Sequence, residues 1–149
     1  MIKAGGGAGL LALLAAAGFV TPGPVAAAEW NKAAFEVKTV AEAFRALGAG
    51  TPANSADILL KGPDIAEIGA VVPIAIESRI PGTESIAVLI ERNPNPLAAS
   101  FDIPAVTEST ITTREKMAET SSVYALVKAN GKYFVARKEI KVTLGGCGG

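Results

Sequence analysis

The chain is predicted to fold as an all-β, immunoglobulin-like antiparallel β-sandwich of about seven strands, with a short N-terminal helix and a flexible C-terminal tail. Three observations predict it. From residue 51 onward, short apolar runs with a period of two recur between clusters of glycine, proline and asparagine. Asn130-Gly131, set between two alternating segments, is a hairpin signature, because both positions tolerate the positive φ of a type I′ turn. No internal repeat or linker divides the chain, so one compact domain is expected. Strand patterning alone leaves a small β-barrel open as the alternative.

The first 28 residues are set apart from that domain. Residues 4–20 are uncharged and small or apolar, follow Lys3, and lead through Thr21-Pro22-Gly23-Pro24 to Ala26-Ala27-Ala28, a small-x-small cleavage site. This is the form of a secretory signal peptide. The apolar run is shorter than the ~20 residues of a membrane span and is weakened by glycine. The expected organisation is a signal peptide over 1–28, a sandwich domain over 29–144 and a tail over 145–149. An exported, periplasmic protein is expected, with no membrane attachment after cleavage.

Within the domain, Thr39-Val40-Ala41-Glu42 has the form of a capping box, with the hydroxyl and the carboxylate each available to an orphan amide. A helix follows over roughly 39–47, carrying Val40, Ala43, Phe44 and Leu47 at helical spacing and stopped by Gly48. Such a short helix is expected to cover one end of a sheet. Asp57-Ile58-Leu59-Leu60 is a brief strand closed by the turn Lys61-Gly62-Pro63-Asp64. Ile65–Gly69 is read as one helical turn or a loop. Val72, Ile74 and Ile76 alternate with Pro73, Ala75 and Glu77, and Pro73 argues for an edge strand or a bulge.

Ile86, Val88 and Ile90 share one face of the next strand, so residues 71–91 are expected to form a hairpin across Pro81-Gly82. Asn93-Pro94-Asn95-Pro96 is a rigid turn, and 97–101 returns to the sheet. Residues 110–114 and 121–128 are rich in β-branched side chains. The final strand, Lys132 to about Leu144, places Ile140, Val142 and Leu144 on one face and runs directly into Gly145-Gly146-Cys147-Gly148-Gly149.

Composition removes most chemistries. Without Lys3 the domain carries a net charge of only −1, with signs interspersed, so nothing attracts nucleic acid or anionic lipid. The chain has no histidine, which excludes Ser-His-Asp and Cys-His catalysis and His-containing zinc sites. A single cysteine cannot build a metal cluster, and no phosphate-binding glycine loop or nucleophile elbow is present. No metal and no cofactor are expected. Asp64 and Glu67 do not form a paired catalytic motif and read as solvated turn residues.

What remains is Cys147. Four glycines around it supply no packing contacts, so the thiol is presented rather than buried. With Leu144 as the last anchored residue, its Cα can extend about 10 Å beyond the fold. An unpaired cysteine in an exported protein implies intermolecular pairing or a reactive thiol.

A C-terminal Gly-Gly-Cys-Gly-Gly on an exported β-sandwich resembles the SoxY family, carriers of the periplasmic thiosulfate-oxidising Sox system. The resemblance extends through Ala43-Phe44, Ile65-Ala66-Glu67 with Val71-Val72-Pro73-Ile74, Asn93-Pro94-Asn95-Pro96, and Val142-Thr143 before Gly145. The chain departs from the family at Ile68, where asparagine is usual, and in lacking a twin-arginine leader. The resemblance implies a non-catalytic carrier holding sulfur intermediates on Cys147, with Gly145, Gly146, Gly148 and Gly149 as a swinging arm. It also implies a heterodimer with SoxZ and transient contact with the SoxAX, SoxB and SoxCD enzymes. The residues alone leave a second function open, an exported binding module dimerised by a disulfide through Cys147.

Overall fold

In the computed structural model, residues 31–145 are described. Their elements are two helices, α1 (Lys32–Glu36) and α2 (Val40–Ala46), and nine strands. The strands are β1 (Ala53–Asn54), β2 (Ile58–Lys61), β3 (Ile65–Ile68), β4 (Val72–Ser78), β5 (Thr83–Ile90), β6 (Leu97–Asp102), β7 (Thr110–Glu115), β8 (Ser121–Ala129) and β9 (Lys132–Leu144). One sheet has the order β1-β9-β8-β5-β6, with β3 also on β9; the other has the order β2-β4-β7. The predicted all-β sandwich is therefore present, with two more strands than the expected seven or so.

Strand alternation builds the two layers of the core. Ile86, Val88 and Ile90 of β5 and Val123, Ala125 and Val127 of β8 face Ile58, Val72, Ile74 and Ile76 of the smaller sheet. All these side chains are at most 4% exposed, which is where the hydrophobic driving force concentrates. The intervening residues Ala87, Leu89 and Leu126 face the other way, joining Leu97 and Val135 beneath the helices. The larger sheet is thus buried on both faces, and the described residues form three layers: helices, larger sheet, smaller sheet.

The helix layer follows from its caps. Thr39 Oγ1 accepts from the Glu42 amide at 3.1 Å and the Glu42 carboxylate accepts from the Thr39 amide at 3.1 Å, the predicted capping box. Gly48 closes α2 at φ +80°, a conformation that favours glycine. Phe44 meets Tyr124 edge to face at 6.1 Å, and the Tyr133 hydroxyl donates to Leu47 O at 2.8 Å, tying α2 over β8 and β9. Helix α1 was not expected from the sequence pattern. It is a five-residue turn capped by Asn31, whose Nδ2 donates to Ala46 O at 2.7 Å and so joins the start of one helix to the end of the other.

Three strand assignments are corrected. Residues 71–91 are not a hairpin: β4 pairs with β2 and β7, while β5 pairs with β6 and β8. The turn at Pro81-Gly82 crosses between sheets, fixed by the buried Ser78–Thr83 hydroxyl pair at 2.7 Å and by Thr83 Oγ1 donating to Ile80 O. Pro73 lies on the central strand of its sheet, but the β2 ladder ends at the Lys61–Ala75 pair, leaving Pro73 with only β7 beside it. Its missing N–H is therefore tolerated as on an edge. Residues 65–68 form neither a helical turn nor a loop but a strand parallel to β9. The Asn130-Gly131 turn is as predicted, with φ of 50° and 74° and Ala129 paired to Lys132.

Candidate functional site at the end of the last strand

The site proposed from sequence begins where β9 ends. Gly145 is the last described residue, exposed and directly after Leu144; Gly146, Cys147, Gly148 and Gly149 lie outside the described residues. The structure therefore describes the base of the proposed arm, up to Gly145.

That base is held on both sides. The β8 ladder reaches only the Ser121–Ile140 pair. Beyond it, β3 takes over on the opposite edge, pairing Ile65 with Lys141, Ala66 with Val142 and Ile68 with Leu144. The Gly69 amide then donates to Leu144 O at 2.7 Å and the Thr143 hydroxyl to Glu67 O at 3.0 Å. On the β8 side, the Val142 amide donates to Thr120 Oγ1 at 2.9 Å. Among the described residues Leu144 is thus the last one fixed by the sheet ladder, as the reach estimate assumed.

A second tier supports the first. The Met117 amide donates to Gly69 O at 2.7 Å, and the Met117 side chain is fully buried. Asn93 Nδ2 donates to Lys116 O at 2.6 Å, while Asn93 Oδ1 accepts from the Ala118 amide at 3.0 Å. Asn95 Nδ2 donates to Val37 O at 3.4 Å, so the Asn-Pro segment is a structural clamp between the helices and the end of β9. Each such bond nets about 1 kcal/mol, and together they leave the strand end little freedom.

Asp64 and Glu67 are not brought together as a catalytic pair. The exposed Asp64 carboxylate accepts from Lys138 Nζ at 2.6 Å, which holds it below the usual carboxylate range, and Asp64 O accepts from the Lys141 amide at 3.0 Å. Asp64 therefore sets the register of β3 on β9. Glu67 lies exposed on the outer face of β3. Among the described residues no group of three or more acidic, histidine or cysteine side chains is placed to hold a metal. No helix among them is long and apolar enough to cross a membrane.

Sequence reasoning missed β3 as the partner of β9. Its only local signal was the alternation of Ala66 and Ile68 with Ile65 and Glu67, which four residues cannot distinguish from a helical turn.

The comparisons with known proteins agree with this geometry. The family model for the sulfur oxidation protein SoxY matches residues 44–147, from α2 to Cys147 itself. The solved structure of the sulfur carrier protein SoxY from Chlorobium limicola f thiosulfatophilum is 35% identical, with a TM-score of 0.60, covering 67% of this chain and 93% of that one. A structure of toxic shock syndrome toxin-1 is 11% identical with a TM-score of 0.39, covering 57% of this chain and 98% of that one, too distant to bear on function. No curated protein sequence matches the chain. With the family match spanning most of the sandwich and running to its one cysteine, the chain belongs to the SoxY family of sulfur oxidation proteins.

Proposed function

We propose that this chain is a non-catalytic carrier that holds the sulfur intermediates of thiosulfate oxidation covalently on Cys147 and presents them to partner enzymes. One observation carries the reading: the family match ends on the only cysteine, three residues beyond the last ladder-bound residue of β9. Support also comes from the Chlorobium SoxY, itself described as a sulfur carrier.

The chemistry needs only a thiol. An unperturbed cysteine ionises near pH ~8.5, so a fraction is nucleophilic thiolate at neutral pH. Conjugation joins the Cys147 sulfur to the outer sulfur of thiosulfate: Cys-SH + S2O3²⁻ gives Cys-S-S-SO3⁻ + H⁺ + 2e⁻, the electron pair passing to a partner oxidoreductase. Hydrolysis by a second partner gives Cys-S-SH + SO4²⁻ + H⁺, leaving the sulfane sulfur for further oxidation. Persulfide and thiosulfonate are both reversible caps of a cysteine.

Gly145, Gly146, Gly148 and Gly149 contribute thinness, so that the arm enters a narrow active site. The fold contributes a fixed origin for it. In this reading the protein is exported to the periplasm, pairs with SoxZ and meets SoxAX, SoxB and SoxCD in turn. The test is Cys147→Ser: folding should be unchanged by urea titration while thiosulfate-dependent electron transfer with the partner enzymes falls to background. Retained turnover would remove the carrier role.

A further inference from the structure

Three of the most exposed large apolar side chains lie around one point. Among the described residues, five are exposed by more than half: Ile65, Ile68, Val71, Val106 and Leu144. Ile65 and Ile68 lie on β3, Val71 follows the turn after it, and Leu144 is the last residue of β9. Ile68 is the ladder partner of Leu144, and the Gly69 amide is bonded to Leu144 O, so Ile68, Val71 and Leu144 flank the point where the tail leaves the sheet. Val106 sits in the loop after β6, near the Asn130-Gly131 end of the sandwich: Asp102 pairs with Ser85, Ser85 with Lys128, and Lys128 with Tyr133 at the start of β9.

We propose that Ile68, Val71 and Leu144 form a docking platform for the enzymes that act on Cys147, and that these enzymes present an apolar rim around the mouth of their active site. The inference rests on the carrier reading. Cys147 is the third residue beyond Leu144, a reach of about 10 Å. A standard interface covers about 800 Å² on each partner, a disc of roughly 16 Å radius. The reach is shorter than the radius, so an enzyme that draws the thiol into a recessed site closes over the residues at the arm's root. Half-exposed isoleucine, valine and leucine there favour an apolar counterpart, since burying them against charge would forfeit the gain. A shared apolar contact also suits a carrier with several successive partners, because apolar contact is non-directional.

The test uses the full chain and the enzyme that conjugates thiosulfate, purified from thiosulfate-oxidising cells, with Ile68→Asp, Val71→Asp and Val106→Asp compared. Ile68→Gln, a milder change at the same exposed site, guards against misfolding, and urea titration checks each variant. The expected result for the Ile68 and Val71 variants is a rise in KM for the carrier of about tenfold or more. The enzyme-free reaction of Cys147 with dithiobis-nitrobenzoate should be unchanged in every variant, and Val106→Asp should behave as the unsubstituted chain does. Equal conjugation by all variants would overturn the proposal. So would an Ile68-dependent homodimer or permanent two-subunit complex on size exclusion before enzyme is added, because the platform would then already be covered. If the unsubstituted chain itself takes up no thiosulfate, the carrier reading fails instead.

Discussion

Ile140 is 1% exposed in the inter-sheet core, and four residues after it β9 delivers the chain to the tail. Truncating it to alanine removes the methyl and methylene groups that pin this part of β9 against the smaller sheet. Buried isoleucine-to-alanine changes cost about 2 to 5 kcal/mol, from lost transfer energy plus an unfilled cavity. With a shift of about 4 °C per kcal/mol for a domain of this size, Tm should fall by roughly 8 to 20 °C. The structure supplies an internal check. A Cβ added at Gly62 would lie 3.1 Å from Ile140 Cδ1, tighter than an ordinary contact. In Ile140→Ala that atom is gone, so Gly62→Ala should there contribute the usual glycine-to-alanine gain of about 0.4 to 1 kcal/mol, and less in the unsubstituted chain. Urea titration of the four proteins forms a double-mutant cycle. A cost below about 1 kcal/mol for Ile140→Ala, or an equal effect of Gly62→Ala in both backgrounds, would refute the packing of β9 described above.

Other consequences are open to the same measurements. Thr39→Ala removes the acceptor for the Glu42 amide and should cost about 1 kcal/mol, whereas Thr39→Ser should cost much less; equal losses would mean that the cap does not support α2. Asn93→Ala removes the bonds to Lys116 O and from the Ala118 amide together and should destabilise by about 1 to 3 kcal/mol, while hydrogen exchange at Met117 and Gly69 accelerates. Unchanged exchange would sever the second tier from the arm's base. Burial raises the Glu115 carboxyl above its ordinary range, outweighing the bond from Thr113 Oγ1 at 2.9 Å. A group whose folded pKa is raised contributes stability below its unfolded pKa and loses it as pH rises through the folded one. Glu115→Gln should therefore gain on the unsubstituted chain as pH rises above the ordinary glutamate pKa of about 4.3, and a gap independent of pH would contradict that cause.

Elements encoded within a few residues were legible in the sequence; those made by distant contacts were not. The capping box at Thr39, the Gly48 stop, the Asn130-Gly131 turn and the full span of β9 each depend on neighbouring residues, and each is found where the pattern placed it. The supposed hairpin over 71–91 failed because whether two adjacent strands pair or part into separate sheets is decided at the corner. There Ser78 and Thr83 meet as a buried hydroxyl pair that looks like ordinary turn polarity in sequence. The parallel pairing of β3 with β9 joins residues 76 apart, as in the Thr143 bond to Glu67 O, and no local signal announces it.

The proposed attachment residue, Cys147, rests on sequence alone and lies outside the described residues. A lone cysteine flanked by four glycines can be singled out without tertiary context, and the absence of histidine narrows the competing chemistries. The sequence did not reveal how well the strand before it is anchored. β3, Thr120 and the Asn93 clamp supply that from three separate parts of the chain.

The most direct measurement is intact mass of the protein purified from cells growing on thiosulfate, before and after reductant, followed by mapping of the C-terminal peptide. A carrier shows a reductant-labile addition of sulfur or thiosulfate confined to the peptide containing Cys147. Unmodified thiol alone, or a disulfide-linked homodimer alone, under turnover would contradict it.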